Sequence, residues 1–298
     1  MKIGVILPSI ETQAAQKLDI ATAARHAEQL GLSGVWHGDH LATGAPTLDV
    51  AVALAAAAAV TERIHIGTSV FVPALRPLAW AAEQIAGLQC LSAGRLLLGV
   101  GSGGGPAQWA AAEIPYEERG PRTDTALRLL PALLSGARVT LPDARGRAEL
   151  ELAPSVPVPP IWVGNHSAPA RRRAALLGDG WFPSLIQPAQ VATGLAEITE
   201  LAARHQRPAP TVTVGATGVL GAGTDLPTRV EIAAGITGAY GRSLEETLSI
   251  PITGSLAEAA ERIAAYQGTG AHHLVFGIAG GDWRNQCELL ARAQAALT

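Results

Sequence analysis

The stretch KIGVILPSIETQAAQKLDIATAARHAEQLGLSGVWHGDH (2–40) decides the fold. It opens on a short apolar run, KIGVIL (2–7), and continues over 13–31 with alanine and leucine at helical spacing, stopped by Gly31. A second short run, GVWHGD (34–39), follows at once. Neither run alternates cleanly between apolar and polar residues, which is how strands read when both faces of a parallel sheet are buried. A strand, a helix and a second strand in this order make a βαβ unit.

The same alternation continues to the end of the chain. A helix is expected over 47–63 with Thr47 as its N-cap, then the strand IHIGTSVFV (64–72), a helix over 77–91 and the strand RLLLGVG (95–101). A fourth helix, PRTDTALRLLPALLSG (121–136), comes after an irregular stretch. The second half supplies PPIWVG (159–164) with a helix over 168–178, GWFPS (180–184) with a helix over 191–203, and TVTVGA (211–216). It closes with a helix over 255–270, where Ser255 and Glu258 stand at capping-box spacing, the strand HHLVFGI (272–278) and a last helix over 283–297.

Eight such units with no break in composition predict an α/β fold, a closed (β/α)8 TIM barrel with loop insertions, in preference to an open doubly wound sheet. Length alone suggests two domains, but barrels of this kind often reach 298 residues, and no low-complexity linker interrupts the chain. One domain over 1–298 is therefore expected. Extra length falls at 102–120, 138–158 and 217–254. The first follows a strand, where barrel loops carry function; the second precedes one and reads as structural.

Composition narrows the function. The net charge of −3 gives no electrostatic case for nucleic acid or an anionic membrane. The longest apolar run, 50–60, is too short to span a bilayer, and MKIGVILPSI lacks the apolar length of a signal peptide. Cys90 and Cys287 match no metal or redox spacing and read as buried thiols in a reducing cytoplasm.

In a barrel of this kind the strand ends and the loops after them form the active face. GVWHGDH places His37, Asp39 and His40 there, with alternation setting His37 and Asp39 on one side and His40 on the other. A metal is not expected. The pair H-x-x-H diverges on a strand, and the other strand ends offer only His166 as a further ligand. No G-x-S-x-G occurs, so there is no nucleophile elbow for a Ser–His–Asp triad. A general acid/base role for His40 stands beside a plain hydrogen-bonding one, since imidazole is the side chain that changes charge near neutral pH.

GVGSGGG (99–105) contains G-x-G-x-x-G, but at the fourth strand, and no phosphate-binding helix opens immediately after it. It reads instead as a strand end stripped of side chains, so that something flat and large can approach the backbone. WVGNHSAPARRRA is sharper: Asn165, His166 and Ser167 lead into a helix with Pro169 at its start, a site for an anion. Arg171, Arg172 and Arg173 cannot all face one ligand and read as a solvated face.

With these pieces placed, the chain resembles the bacterial luciferase-like family of flavin- and deazaflavin-dependent oxidoreductases. The matching elements are GVWHGDH, AAAAAVTERIHIGTSVFVPALRP, LSAGRLLLGVGSG, PPIWVG with its helix, LGDGWF, and SLAEAAERIAAYQGTGAHHLVF, in family order over nearly the whole chain. GDH and GTSV look most like the branch that uses the deazaflavin coenzyme F420. The resemblance implies a cofactor contact from Asp39 and chemistry near the reactive carbon from His40. It implies a non-proline cis peptide at Ser69–Val70, in a bulge that supports the ring from behind. Further cofactor contacts are implied at Ser102 and Gly103, and a phosphate site at Asn165, His166, Ser167, Pro169 and Ala170.

Three departures from relatives that oxidise sugar-phosphate alcohols matter. Gly104 stands where they keep a glutamate, Gly44 near where they keep a tryptophan, and His166-Ser167 where they keep two glycines. Reduction of an activated C=C or C=N bond in a small organic substrate is therefore favoured, with Trp109 as a wall of the substrate pocket or as ordinary packing. The alternative is an FMN-dependent monooxygenase fed by a separate reductase as partner enzyme; a non-catalytic flavin-binding protein comes third. The resemblance also implies a homodimer joined through the early helices.

Overall fold

The computed structural model describes residues 1–42, 44–143 and 146–297. Eleven strands are present among them: β1 (Lys2–Ile6), β2 (Gly34–His37), β3 (His65–Phe71), β4 (Leu96–Val100), β5 (Val139–Asp143), β6 (Gly146–Leu150), β7 (Ile161–Gly164), β8 (Gly180–Phe182), β9 (Thr211–Leu220), β10 (Ile252–Gly254) and β11 (His273–Ile278). The helices are α1 (Ile10–Gln16), α2 (Ile20–Gln29), α3 (Val50–Ala58), α4 (Leu78–Leu91), α5 (Pro106–Ala111) and α6 (Arg119–Leu134). They continue as α7 (Ala168–Leu177), α8 (Pro188–Arg204), α9 (Arg229–Tyr240), α10 (Leu244–Thr247), α11 (Leu256–Gln267) and α12 (Trp283–Ala295).

Strands β1, β2, β3, β4, β7, β8, β9 and β11 pair in that order, all parallel, and β11 returns to β1 to close the barrel. The predicted TIM barrel is the observed fold. Each strand presents one face to the helices and one to the barrel interior. Ile3, Val5, Val35, Ile66, Leu98, Val163 and Val214 belong to the large outer core shared with the helices. Trp36, Leu97, Trp162, Phe182 and Val275 fill the interior.

Glycines shape that interior. The indoles of Trp36 and Trp162 stack with centroids 5.8 Å apart, and they lie across bare backbone on neighbouring strands. A Cβ on Gly67 would stand 2.2 Å from the Trp36 ring, and one on Gly180 2.4 Å from Trp162. Alternating large and small residues is how a narrow barrel reaches interior packing density.

The differences from the sequence reading are local and have identifiable causes. The expected helix over 13–31 is two helices, because Lys17 turns left-handed at φ 49° to end α1 and Asp19 caps α2 by accepting from the Thr22 N–H. The N-cap of α3 is Asp49, which accepts from the Ala51 and Val52 N–H groups, in place of Thr47. The segment 138–158 contains an antiparallel hairpin, β5–β6. The segment 217–254 carries the outer end of β9, then α9 and α10, and returns as β10 alongside residues 218–220. The capping box at Ser255 and Glu258 is present. Cys287 is buried as expected, whereas Cys90 is exposed on α4. Among the described residues no helix is long and apolar enough to cross a membrane.

Candidate functional site

The exit of β2 sets the first part of the site. Alternation holds beyond the strand, so His37 and Asp39 turn away from the barrel axis. The His37 Nε2 lies 3.3 Å from the Leu48 carbonyl oxygen, and its Nδ1 is buried without a partner. Burial, reinforced by the nearby His40, pushes the His37 pKa below its ordinary value against the opposing pull of the Leu48 carbonyl.

Asp39 is 7% exposed, and its Oδ2 accepts from the Arg76 guanidinium at 2.6 Å and from the Val72 N–H at 2.9 Å. Its own N–H donates to the Val70 carbonyl, and its carbonyl accepts from the Gln108 amide. Arg76 in turn lies over the Phe71 ring, 4.6 Å from the centroid, and donates to Gln84. The carboxylate assigned to the cofactor by resemblance is thus clasped into the β3–α4 connection.

His40 is exposed and faces the other way. Its imidazole folds back over Gly38: a Cβ built on Gly38 would lie 2.5 Å from the His40 Nε2. The three side chains of the H-x-D-H stretch therefore do not converge on a common point.

Strand β3 ends in an irregularity. Its register against β4 shifts between Thr68 and Phe71, and the Ser69–Val70 peptide is cis, as the resemblance implied. The Ser69 Oγ is buried without a hydrogen-bond partner. Val70 points into the mouth and rests on three glycines from the next two strands. A Cβ on Gly101 would lie 2.3 Å from Val70 Cγ2, one on Gly164 2.8 Å from Cγ1, and one on Gly99 3.2 Å from Cγ1. The bare strand ends were expected to let a flat ligand approach the backbone. At Gly101 and Gly164 Val70 occupies that space, whereas a Cβ on Gly99 would first meet the Thr68 carbonyl oxygen at 2.2 Å; Val70 forms the floor.

After β4 the chain runs through Ser102 and Gly103, which has φ 73°. A Cβ there would meet the Trp109 Nε1 at 3.0 Å, and the Gly104 N–H donates to the Gln108 side chain at 2.7 Å. Trp109 is fully buried in a satellite cluster with Val72, Ala74 and Leu75. It props the 102–120 loop from within, and its indole N–H has no partner. The Ser102 Oγ accepts from Arg173 at 3.1 Å.

The exit of β7 is the polar half. Asn165 takes a left-handed conformation at φ 81°; its side chain accepts from the Ser167 N–H at 2.8 Å, and its carbonyl from the Trp181 indole. Ser167 is the N-cap residue of α7 but makes no side-chain cap, and Pro169 sits in the first turn. The N–H groups of Ala168 and Ala170 therefore point out of the helix with no partner among the described residues. Partial burial, then the positive charges of Arg242 and Arg171, hold the His166 pKa below its ordinary value.

The three consecutive arginines diverge. Arg171 pairs with Glu197 at 2.6 Å. Arg173 turns inward, where it pairs with Asp124 at 2.6 Å and also donates to Ser102 and the Gly120 carbonyl. It is a tie between the β4 exit and α7, a correction to the solvated face expected of the run. Arg172 lines a cavity of about 290 Å³ with Asp124, Ala168, Pro169 and Arg173. Sequence reading missed Arg76, Gln108 and Arg173, which reach the site from loops and helices far along the chain. Arg173 had a signal in its arginine run, but nothing local told it from its neighbours.

These features define a (β/α)8 barrel with its polar and glycine-rich groups gathered at one end. Residues 1–238 match the family model described as luciferase-like monooxygenase, and the chain belongs to that family. It is 39% identical over 168 residues to an F420-dependent glucose-6-phosphate dehydrogenase of Beutenbergia cavernae, covering 52% of this chain and 49% of that protein. It is 29% identical over 200 residues to a 5,10-methylenetetrahydromethanopterin reductase of Methanolobus tindarius, covering 67% of this chain and 60% of that one. The chain thus matches about half the length of these curated relatives. In fold it resembles an F420-dependent secondary alcohol dehydrogenase solved with an F420–acetone adduct, with a TM-score of 0.81 at 16% identity over 100% of this chain and 99% of that one.

Proposed function

We propose that this chain is an oxidoreductase that uses coenzyme F420 to reduce an activated C=C or C=N bond in a small organic substrate. One observation carries the reading. Among the described residues, His40 is the one titratable side chain that the β2, β3 and β4 exits turn to the mouth, because Asp39 is committed to Arg76 and His37 faces the helices. One proton donor suffices for such a reduction, whereas Gly104 supplies no second acid. Relatives named for F420 match about half of the chain.

The chain fits the cofactor at both ends. The open amides of α7, with the helix dipole behind them, suit its phosphate, and the His166 and Ser167 side chains flank that position. Val70 offers an apolar floor on which a ring can rest. When bound, reduced deazaflavin supplies the hydride, which leaves the protein to orient the substrate and manage a proton. His40 holds that proton on its ring at the mouth.

The same helix head suits the phosphate of FMN, so an FMN-dependent monooxygenase served by a separate reductase is the second reading. Fluorescence titration of the purified protein with deazaflavin cofactor and with FMN decides between them. Selective binding of the deazaflavin is expected; selective micromolar binding of FMN overturns the reading.

A homodimer is part of the proposal. Val52 on α3 and Trp80 and Leu91 on α4 are 64%, 65% and 57% exposed on two adjacent helices, and α3 carries no polar side chain. A helix apolar on every side is ordinarily covered. Light scattering is expected to give a dimer that Trp80→Glu splits; a monomeric parent protein refutes this.

A further inference from the structure

We infer that Gly38 is the positioning residue of the site: its missing side chain lets the His40 imidazole lie back over the barrel mouth with Nε2 against the backbone. This rests on the reading of His40 as the proton-handling group. The three heavy atoms nearest to a Cβ built on Gly38 all belong to the His40 ring, with Nε2 at 2.5 Å, Cδ2 at 3.2 Å and Cε1 at 3.3 Å. No backbone atom and no third residue is among them. Gly38 is itself buried, and its φ lies outside the left-handed region, so the backbone accepts an L side chain there.

Conformation does not require the glycine, and the nearest obstacle to a side chain there is the ring two residues on. Positions 38 and 40 share a face by alternation, and the segment between them is pinned, because the Asp39 N–H donates to the Val70 carbonyl and the Asp39 carboxylate accepts from Arg76 and Val72. With the backbone fixed on both sides, the imidazole has one way to avoid a new methyl group at position 38: rotation outward. Ordinary contact distance then requires Nε2 to move by about 1 Å, a displacement that can cost on the order of 100-fold in rate when a reacting group must be placed.

The stretch G-D-H is thereby a single device. Asp39 anchors the backbone outward, Gly38 clears the floor, and His40 folds inward over it. Each member has its own contact, and substitution of one acts on the ring through a different route.

Gly38→Ala, His40→Ala and the double variant test this with two readouts. The first is thermal unfolding, which needs neither substrate nor cofactor. Gly38→Ala is expected to raise the midpoint when His40 is already alanine, because it removes freedom only from the unfolded chain, and to raise it less or lower it in the parent protein, where the ring must move. Equal changes in both backgrounds show that the methyl group does not meet the ring and overturn the inference. The second is turnover. Gly38→Ala is expected to lower kcat 10- to 100-fold with KM and cofactor affinity within about twofold, and to add nothing to His40→Ala. Full turnover by Gly38→Ala beside a slow His40→Ala overturns the positioning role alone; full turnover by His40→Ala overturns the reading of His40 on which it rests.

Discussion

Asp39→Asn separates a structural carboxylate from a cofactor ligand. The substitution keeps the side-chain shape and an oxygen to accept from the Val72 N–H, but removes the charge opposite Arg76. Both partners are largely out of water, with side-chain exposures of 6% for Asp39 and 18% for Arg76. Two unit charges about 4 Å apart attract by ~4 kcal/mol at an effective dielectric of 20, and the cost of desolvating them offsets a good part of that. What is lost on removing one charge is a charge-assisted hydrogen bond plus the desolvation of an unpaired guanidinium, ~2 kcal/mol. Arg76 keeps the Phe71 face and the Gln84 amide, which limits the loss. Urea unfolding followed by tryptophan fluorescence measures it. The Asp39→Asn, Arg76→Met and double variants close a cycle with an expected coupling of ~1–2 kcal/mol. A variant within about 0.5 kcal/mol of the parent that no longer binds cofactor refutes the clasp and restores Asp39 as a ligand.

Three further outcomes follow from particular contacts. His273 is buried 2.6 Å from the Ser33 hydroxyl, and burial first, then His65 and Lys2, push its pKa down to about 3. Its folded pKa lies below the unfolded one, so stability is full above about pH 6.5 and falls with pH toward 3. Unfolding at pH 5 is expected to cost ~2 kcal/mol less than at pH 7.5 on this account, and His273→Asn to flatten that slope; an unchanged slope dismisses the assignment. Gly67→Ala, with its Cβ 2.2 Å from the Trp36 ring, is expected to destabilise by ~3 kcal/mol or more, and Trp36→Leu in the same chain to recover part of the loss. Arg173→Lys keeps the charge but cannot reach Asp124, Ser102 and the Gly120 carbonyl together, and ~1–2 kcal/mol in denaturant titration is expected. A neutral result there means that the three contacts are not made at once in solution.

The barrel was legible because its cause is periodic. Short apolar runs such as KIGVIL and HHLVFGI, each joined to a helix, record burial on two faces along the chain itself. The split between α1 and α2 was also written there, in Lys17 and in the Asp19 cap, but a continuous alanine period masked it. The hairpin β5–β6 was hidden for the opposite reason, since VTLPD and GRAEL carry too few apolar residues to read as strands. At the site, local pattern gave the direction of each side chain in GVWHGDH but not its partner. The partners of Asp39 lie 33 and 37 residues away, and that of Ser102 lies 71 away. Those contacts exist only once the barrel is closed.

The glycines show most clearly what closure adds. From sequence, the bare residues of 99–105 read as room for a ligand. In the structure several glycines of the barrel make room for a side chain of the same protein: Gly67 for Trp36, Gly101 and Gly164 for Val70, Gly38 for His40. Such a seat fixes a side chain from beneath while leaving its upper surface free, which a surrounding ring of large residues would cover. At the barrel mouth the top of Val70 and the ring of His40 therefore stand where bare backbone was expected. It follows that exchanging Val70 for Ala changes what the floor touches, whereas enlarging Gly101 or Gly38 changes where the floor stands. The placement of Val70 and His40 is thus set by the residues beneath them that have no side chain.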